Sequence, residues 1–436
     1  MTGRRLVSLF SAVVLAWLCA AANAQTIAIV HAKAWTMTAP TPLENATVVI
    51  KEGKIASVAA GDPPPGGTRV IDAKGRAVTP GLIHPATHLG LLEVSSATDT
   101  VDSGTKASSL GADFDVQYAL NFNSALIELA RADGLTRAVS YPTHSGVPPF
   151  AGMGALVRLT EPGEILESAG VGVFVSIGNH RGEADASRAA QWELLRHALD
   201  AAKTASAPAG TSASGAVGTS AGSAGRSPQV LALEPVLAGK VPLAISTNRE
   251  SDIRQAIRLT RDYSLRVVII GAAEAWRAAD ALAAAKVAVI VDPQANLPAN
   301  FDELGTRLDN AALLRKAGVT VATAVLSGIH QSYNAGESLR EGAGLAVANG
   351  LSYSDALRSI TVVPAEIWGI AERCGTIAPG KDGDLVVWDG DPLEPSSAPL
   401  AVLVAGKEIS LVTRQTRLRD RYLPKAGLAP AARREP

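Results

Sequence analysis

This sequence predicts an α/β fold with a parallel sheet, of the size and rhythm of a (β/α)8 barrel. Three observations carry that reading. Through the middle of the chain, short apolar runs alternate with helical patterns, and that alternation implies parallel strands joined by crossover helices. The chain has 436 residues, long for one ordinary domain but normal for a barrel with additions. Hydrophobic residues make up 47% and aromatic residues only 4%, so a large core must be built from Ala, Val, Leu and Ile.

The N-terminus has the build of an export signal over residues 1–24. Arg4 and Arg5 form a basic start, Leu6 to Ala21 is an apolar run, and Ala22-Asn23-Ala24 fits a small-residue cleavage site before Gln25. The run is short for a membrane span, so no span is expected after cleavage. The expected location is the periplasm. Cys19 lies inside the apolar run, which leaves Cys374 alone in the mature chain, with no internal disulfide and no cysteine zinc site. Lys and Arg total 40 against 41 Asp and Glu. Losing Arg4 and Arg5 gives 38 against 41, a mature charge of about −3, which points to neither nucleic acid nor an anionic surface as partner.

Residues 25–78 read as strands and turns. Thr26 to His31 is one strand, and Ala46 to Val58 is two strands around Glu52-Gly53. Arg69 to Val78 reads as a further hairpin. Strands and helices then alternate over residues 79–374. Leu126 to Arg131 is a helix and Gly134 to Tyr141 a strand. Val171 to Ile177 is a strand, and Ser187 to Lys203 is a helix with Trp192, Leu195 and Leu199 on one face. Strands at Leu243–Ser246, Arg266–Ile270, Val287–Val291 and Val319–Val325 each precede a helical pattern. Residues 204–227 are Ala, Gly, Ser and Thr with almost no charge, and cannot bury enough surface to offset their ordering entropy; a flexible surface insertion is expected. Residues 375–415 return to strands, and residues 416–436 form a tail.

The most informative stretch is Val78 to Val94, in which Thr79-Pro80-Gly81 turns into Leu82-Ile83-His84-Pro85-Ala86-Thr87-His88. It resembles the first barrel strand of the amidohydrolase superfamily, whose members carry Asp-x-His-x-His there. Further matches lie far along the chain. Pro379-Gly380-Lys381-Asp382-Gly383-Asp384-Leu385-Val386 looks like the family's P-G-K-x-A-D-L-V stretch, and Pro364-Ala365-Glu366 with Gly369 looks like its N-P-A-x-x-L-G turn. The resemblance covers about Thr26 to Leu411. It implies a small composite β-sandwich, built from residues 25–78 and 375–415, beside the barrel. It also places the chain near the imidazolonepropionase-like and secreted dipeptidase-like branch, hydrolases of non-peptide C–N bonds acting on cyclic amides or on N-acyl and dipeptide-like small molecules.

The resemblance implies a divalent metal, commonly zinc, that activates water and polarises the substrate carbonyl. It assigns ligands to two strand-one His, to strands five and six, and a proton-shuttling Asp after strand eight. Here those positions hold Ala86, Ser246, Gly271 and Leu326. Of the strand-one pair only His88 remains, with His84 four residues earlier, and no Lys matches the strand-four position clearly, Lys240 being the nearest. Ala, Gly and Leu have no donor atom, so no cofactor is expected unless other residues rebuild a site. On a straight strand His84 and His88 lie roughly 13 Å apart, too far to share one ion. His144, His180 and His330 follow strands, at the end where barrel active sites occur, and are the candidates for a rebuilt catalytic site. Glu274 fills a family position at the start of a helix, where its carboxylate favours the dipole. His31 reads as structural and His197 as solvent-facing. Phe150 to Ala155 resembles the G-x-G-A turn after strand two of the secreted relatives. Three functions follow: an inactive relative that serves as a binding or partner subunit, a hydrolase with a site rebuilt from His84, His88, His144, His180 or His330, or a purely structural role, for which no specific residue speaks. A small-molecule ligand, self-association and pairing with an active relative all stay open.

Overall fold

The computed structural model describes residues 26–160, 163–178, 187–206, 226–326 and 330–423. The expected export signal, His180, most of the expected insertion and the end of the tail lie outside the described residues. Strands β1 (Ile27–Ala34), β2 (Leu43–Lys51), β3 (Lys54–Ala60), β4 (Arg69–Asp72) and β5 (Ala77–Pro80) come first. β1 is the hub: it pairs antiparallel with β2 and parallel with both β4 and β5. Apolar side chains at alternate positions, among them Ile27, Ile29, Val48 and Ile50, bury themselves in a core of their own.

Strands β6 (Leu82–Thr87), β7 (Leu135–Ser140), β8 (Phe150–Met153), β9 (Ala155–Arg158), β10 (Leu166–Ser168), β11 (Val173–Ser176), β12 (Leu243–Thr247), β13 (Val267–Gly271), β14 (Ala288–Val291) and β15 (Val321–Thr323) follow. β6 and β7 pair in parallel, and β11 to β15 form a parallel run. Between them lies the segment of β8 and β9, interrupted at Gly154 and antiparallel to its neighbours. β8 pairs with β11 and β9 with β7. This corrects the glycine turn expected over Phe150–Ala155. The segment is strand, and its glycines serve close packing: a Cβ at Gly154 would collide with the Phe174 ring. No ladder joins β15 to β6 among the described residues. The helices Ala335–Ala348 and Val362–Ile367 pack against both strands instead, and Ile83 N–H donates to Ile360 O at 2.9 Å.

Strands β11 to β15 are buried along most of their length and are mostly Val, Ile and Ala, as expected where helices cover the outer face. The helix Arg188–Ser206 buries Trp192, Leu195 and Leu199, and the helix Glu250–Asp262 buries Ile253, Ala256 and Ile257. Fully burying one such Leu or Ile stabilises by about 1.5–3 kcal/mol before entropy is counted. The first of these helices runs to Ser206, so Thr204 to Ser206 belongs to it rather than to a loop. β15 is shorter than the run Val319–Val325 suggests, because Ala324 to Leu326 leave the sheet.

The chain returns through β16 (Leu385–Trp388), β17 (Pro399–Val404) and β18 (Lys407–Glu408). β16 pairs with β5, so both chain ends build one sheet in the order β18-β17-β16-β5-β1-β2-β3. The sheet curls: Ile55 N–H donates to Lys381 O at 2.8 Å, which brings the far edge back to the segment leading into β16. The helix Arg414–Tyr422 follows, so the expected tail boundary at 416 falls inside a helix.

A buried ion cluster ties this sheet to the barrel. Arg137 on β7, 1% exposed, donates to Asp384, to Asp382 at 2.5 Å and to Glu167 at 2.7 Å. Arg158 reaches Asp384 at 2.7 Å, Arg373 reaches Glu167 at 2.6 Å, and Lys54 reaches Asp382 at 2.6 Å. Burial works against the Arg137 charge, but Asp384 and Glu167 more than offset it and hold the guanidinium above its ordinary range. Beside it burial pushes the Cys374 thiol up to about 11. Arg suits this place because its planar fork offers five donors to several carboxylates at once.

Candidate functional site

The site is built outward from β6. Pro85 has no N–H to give a ladder, so a residue is inserted there. His84 pairs with Ala138 but Thr87 pairs with Ser140, three residues against two, a β-bulge. The straight-strand spacing expected between His84 and His88 therefore does not hold. His84 ends fully buried. Its Nδ1 accepts the Ala86 N–H at 3.3 Å, and its Nε2 has no hydrogen-bond partner. Burial first, then the nearby His88, lowers its pKa to about 3. His88 bonds through Nδ1 to Tyr141 O at 2.8 Å. A carbonyl only accepts, so Nδ1 carries the proton. Burial lowers His88 to about 4, against the Tyr141 bond, which favours the charged form. Both imidazoles are thus neutral near pH 7.

Four rings fill the space between these strands. The His88 ring lies 4.6 Å from Tyr141, Tyr141 stacks on Phe174 at 5.0 Å, and Phe174 stacks on Trp368 at 5.6 Å. Trp368 Nε1 donates to Pro85 O at 2.9 Å, and its ring rests against Gly172, just before β11. Offset aromatic pairs add about 0.5–1.5 kcal/mol each beyond burial. With only 4% aromatic residues in the chain, this concentration of rings marks the place where β6, β7 and β11 meet.

At the other expected ligand positions the side chains are small or turned to other work. Ala86 is buried in the apolar core. Ser246 is half-buried, and its carbonyl accepts Ile177 N–H at 3.0 Å. Leu326 donates its N–H to Asp292 at 2.9 Å. Gly271 has φ +93°, a conformation that disfavours any side chain, and a Cβ there would meet Asn248 Oδ1 at 2.5 Å. Asn248 thus occupies the room that a side chain at position 271 would need. Its Oδ1 accepts Ala273 N–H at 3.3 Å, and its Nδ2 donates to Glu303 at 2.9 Å. The donor set at these positions does not fit a divalent ion, which needs about three protein ligands. Among the described residues no group of three or more His, Cys, Asp or Glu side chains could hold a metal.

The remaining candidates do not converge. His144 is exposed, bonded to Thr143 at 3.0 Å and packed on Gly104. His180 lies outside the described residues. His330 opens the helix His330–Tyr333, and its side chain is outside them as well. Lys240 is exposed and precedes β12 at its starting end, away from any strand-four position. His197 is exposed, and His31 pairs with Asp72 at 2.9 Å on the surface.

Glu274 has a different task from the one expected. Its side chain makes no capping hydrogen bond to its own helical turn, where it has only a long ion pair to Arg277 at 3.8 Å. Instead it accepts Glu250 N–H at the start of the next helix back, and Gly305 N–H in the loop after β14, both at 3.0 Å. Its carboxylate therefore sits at the N-terminus of the helix Glu250–Asp262 rather than at that of its own turn. The sequence signal for the Asn248–Glu274–Glu303 network is slight: polar residues at three strand ends, with nothing to pair them.

Residues 247–415 match the amidohydrolase family. Over 57 residues the chain is 47% identical to the amidohydrolase tasK of Hapsidospora irregularis, a match covering 13% of this chain and 6% of that protein. Among solved structures, an amidohydrolase from Thermotoga maritima superposes with TM-score 0.76 at 23% identity, covering 88% of this chain and 99% of the other. Molinate hydrolase superposes with TM-score 0.52 at 20% identity, over 94% and 98%. Residues 247–415 thus carry the amidohydrolase family match, and the described chain shares the fold of the amidohydrolase structure from Thermotoga maritima.

Proposed function

We propose that this is an exported superfamily member in which metal-dependent C–N hydrolysis has been lost, and which serves as a binding or partner subunit. One observation carries the reading. Where the resemblance assigns metal ligands the chain has Ala86, Ser246, Gly271 and Leu326, and Asn248 fills the room at Gly271. Two neutral imidazoles remain, one tied to Tyr141 O and stacked, the other sealed from solvent. Export rests on Arg4, Arg5, the apolar run and Ala22-Asn23-Ala24; N-terminal sequencing from the native envelope should start at Gln25, and an intact Met1 would refute it.

The test of lost catalysis is an assay of dipeptides, N-acyl amino acids and cyclic imides with zinc, manganese or cobalt added in excess. Rates should stay at background. A second reading is a C–N hydrolase, supported by the family match and by the hydrolase neighbours. Metal-stimulated turnover that disappears in His88→Ala would favour it.

A further inference from the structure

Where the two-ended sheet meets the barrel helices there is a cleft of about 510 Å³. It is lined by Lys33 and Trp35 from β1 and its end, Arg76 before β5, Tyr353 at the start of the helix Tyr353–Ser359, and Asp391 and Pro392 after β16. That volume lies within the range of small-molecule sites, about 300–1,000 Å³. The fold does not use up the charges in it. The half-buried Arg76 side chain has no hydrogen bond or ion pair among the described residues, and its Nη1 is buried without a partner. The backbone beneath it is fixed, with Arg76 N–H on Ala73 O at 2.9 Å and Gly75 N–H on His31 O at 2.7 Å. Asp391 is half used. Its Oδ1 accepts the Tyr353 O–H at 2.6 Å and the Leu393 N–H at 2.9 Å, while Oδ2 takes no bond among the described residues. Burial, then Asp391, raises the Tyr353 pKa, so the phenol keeps its proton and stays the donor. The Trp35 and Tyr353 rings, 5.0 Å apart and tilted by 42°, form an apolar corner between the two charges.

We infer that this cleft binds a free amino acid with a large apolar side chain. The choice follows from the charges. Arg76 and Asp391 line one cleft with opposite signs, and they do not pair with each other. A plain anion there would meet Asp391 as well as Arg76, and a plain cation would meet Arg76 as well as Asp391. A zwitterion leaves neither facing its like. Its carboxylate suits the planar fork of Arg76. Its ammonium donates to Asp391 Oδ2, and its side chain packs into the corner of Trp35 and Tyr353. The neighbouring charges keep this polarity. Lys33 stands on the Arg76 side and pairs only at 3.8 Å with Glu44, both being exposed. Glu341 and Glu394 line a second cleft that shares Tyr353 and Asp391, which puts the negative end on the Tyr353 side. None of these residues enters the functional reading above.

Isothermal titration calorimetry of the full chain with three probes tests this: L-phenylalanine, N-acetyl-L-phenylalanine, which lacks the ammonium, and phenethylamine, which lacks the carboxylate. Phenylalanine should bind at one site, saturating below about 5 mM. Each of the other two should bind at least about tenfold more weakly, since each loses one charge-assisted pair. Arg76→Gln should weaken phenylalanine about tenfold and leave phenethylamine unchanged. Asp391→Asn, which keeps an oxygen for Tyr353, should weaken phenylalanine and leave N-acetyl-phenylalanine unchanged. Arg76 has no partner to lose, so its variant should fold, with an unchanged circular dichroism spectrum. A wild type that shows no saturable binding of phenylalanine overturns the inference. So does equal binding of either single-charge probe, or phenylalanine binding indifferent to Arg76→Gln. Phenylalanine has no amide bond to hydrolyse, so this site and the loss of hydrolysis fail separately.

Discussion

Replacing Arg137 with Met leaves Asp382, Asp384 and Glu167 buried without their shared cation. Their side chains are 4%, 3% and 10% exposed, so water cannot take over the work of the guanidinium. Breaking a buried ion pair from one side costs about 3–5 kcal/mol. The lower half of that range applies here. Asp382 keeps Lys54 and Arg158, Asp384 keeps Arg158 and the Ala405 N–H, and Glu167 keeps Arg373. We expect about 3 kcal/mol, which at a urea slope of about 3 kcal/mol/M lowers the unfolding midpoint by about 1 M. Arg137→Lys keeps the charge but not the fork and should fall between the two. The pH dependence gives an independent check. Burial raises the Asp382 pKa, but Lys54, Arg158 and Arg137 outweigh it and hold the group below its usual range; Glu167 is likewise held down. A depressed carboxylate pKa contributes stability above the unfolded value, about 4, and loses it as pH falls through the folded value. The variant has less of that contribution to lose. Its deficit should be largest at pH 7 and shrink below about pH 4. A midpoint change under about 0.3 M at pH 7, or a deficit that grows in acid, would refute the reasoning.

Three further outcomes follow. Gly271→His should destabilise by about 2 kcal/mol or more and bind no zinc, because φ is +93° and Asn248 fills the space; adding Asn248→Gly should recover part of the loss in a thermal melt. Acid should weaken the fold through His84 and His88, whose folded pKa values of about 3 and 4 lie below the unfolded 6.5. Their contribution is full above 6.5 and is lost at up to about 1.4 kcal/mol per pH unit per group as pH falls towards 4. Asp133, raised to about 6 by burial, offsets part of this between about pH 6 and 4, and His84→Gln should flatten the net slope in urea titrations. Phe174→Ala should cost about 3–5 kcal/mol, since it removes the middle of the aromatic stack.

The alternation of apolar runs and helical patterns gave most of the barrel strands, because strands covered on both faces are written locally as Val- and Ile-rich segments. Residues 78–94 and 379–386 carried the family resemblance for a similar reason: each is a continuous stretch. What stayed hidden is non-local. Arg137 sits in a strand that reads as apolar, and its carboxylates Asp382 and Asp384 are more than 240 positions away. The bulge at Pro85 breaks a strand parity that the sequence alone suggests. The reversed direction of β8 and β9 leaves no mark in composition, since an antiparallel buried strand and a glycine turn share the same residues. Glu274 was found by position, but its partners Glu250 and Gly305 belong to other loops, and only the fold brings them together.

The central claim is that this barrel no longer holds a catalytic ion. Its most direct test is elemental analysis of protein purified from its native host and dialysed without chelator. The account predicts under about 0.2 equivalents per chain of zinc, manganese, nickel or iron, because Ala86, Ser246, Gly271 and Leu326 leave His88 without fellow ligands. One equivalent of any of these, lost in His88→Ala, would contradict it.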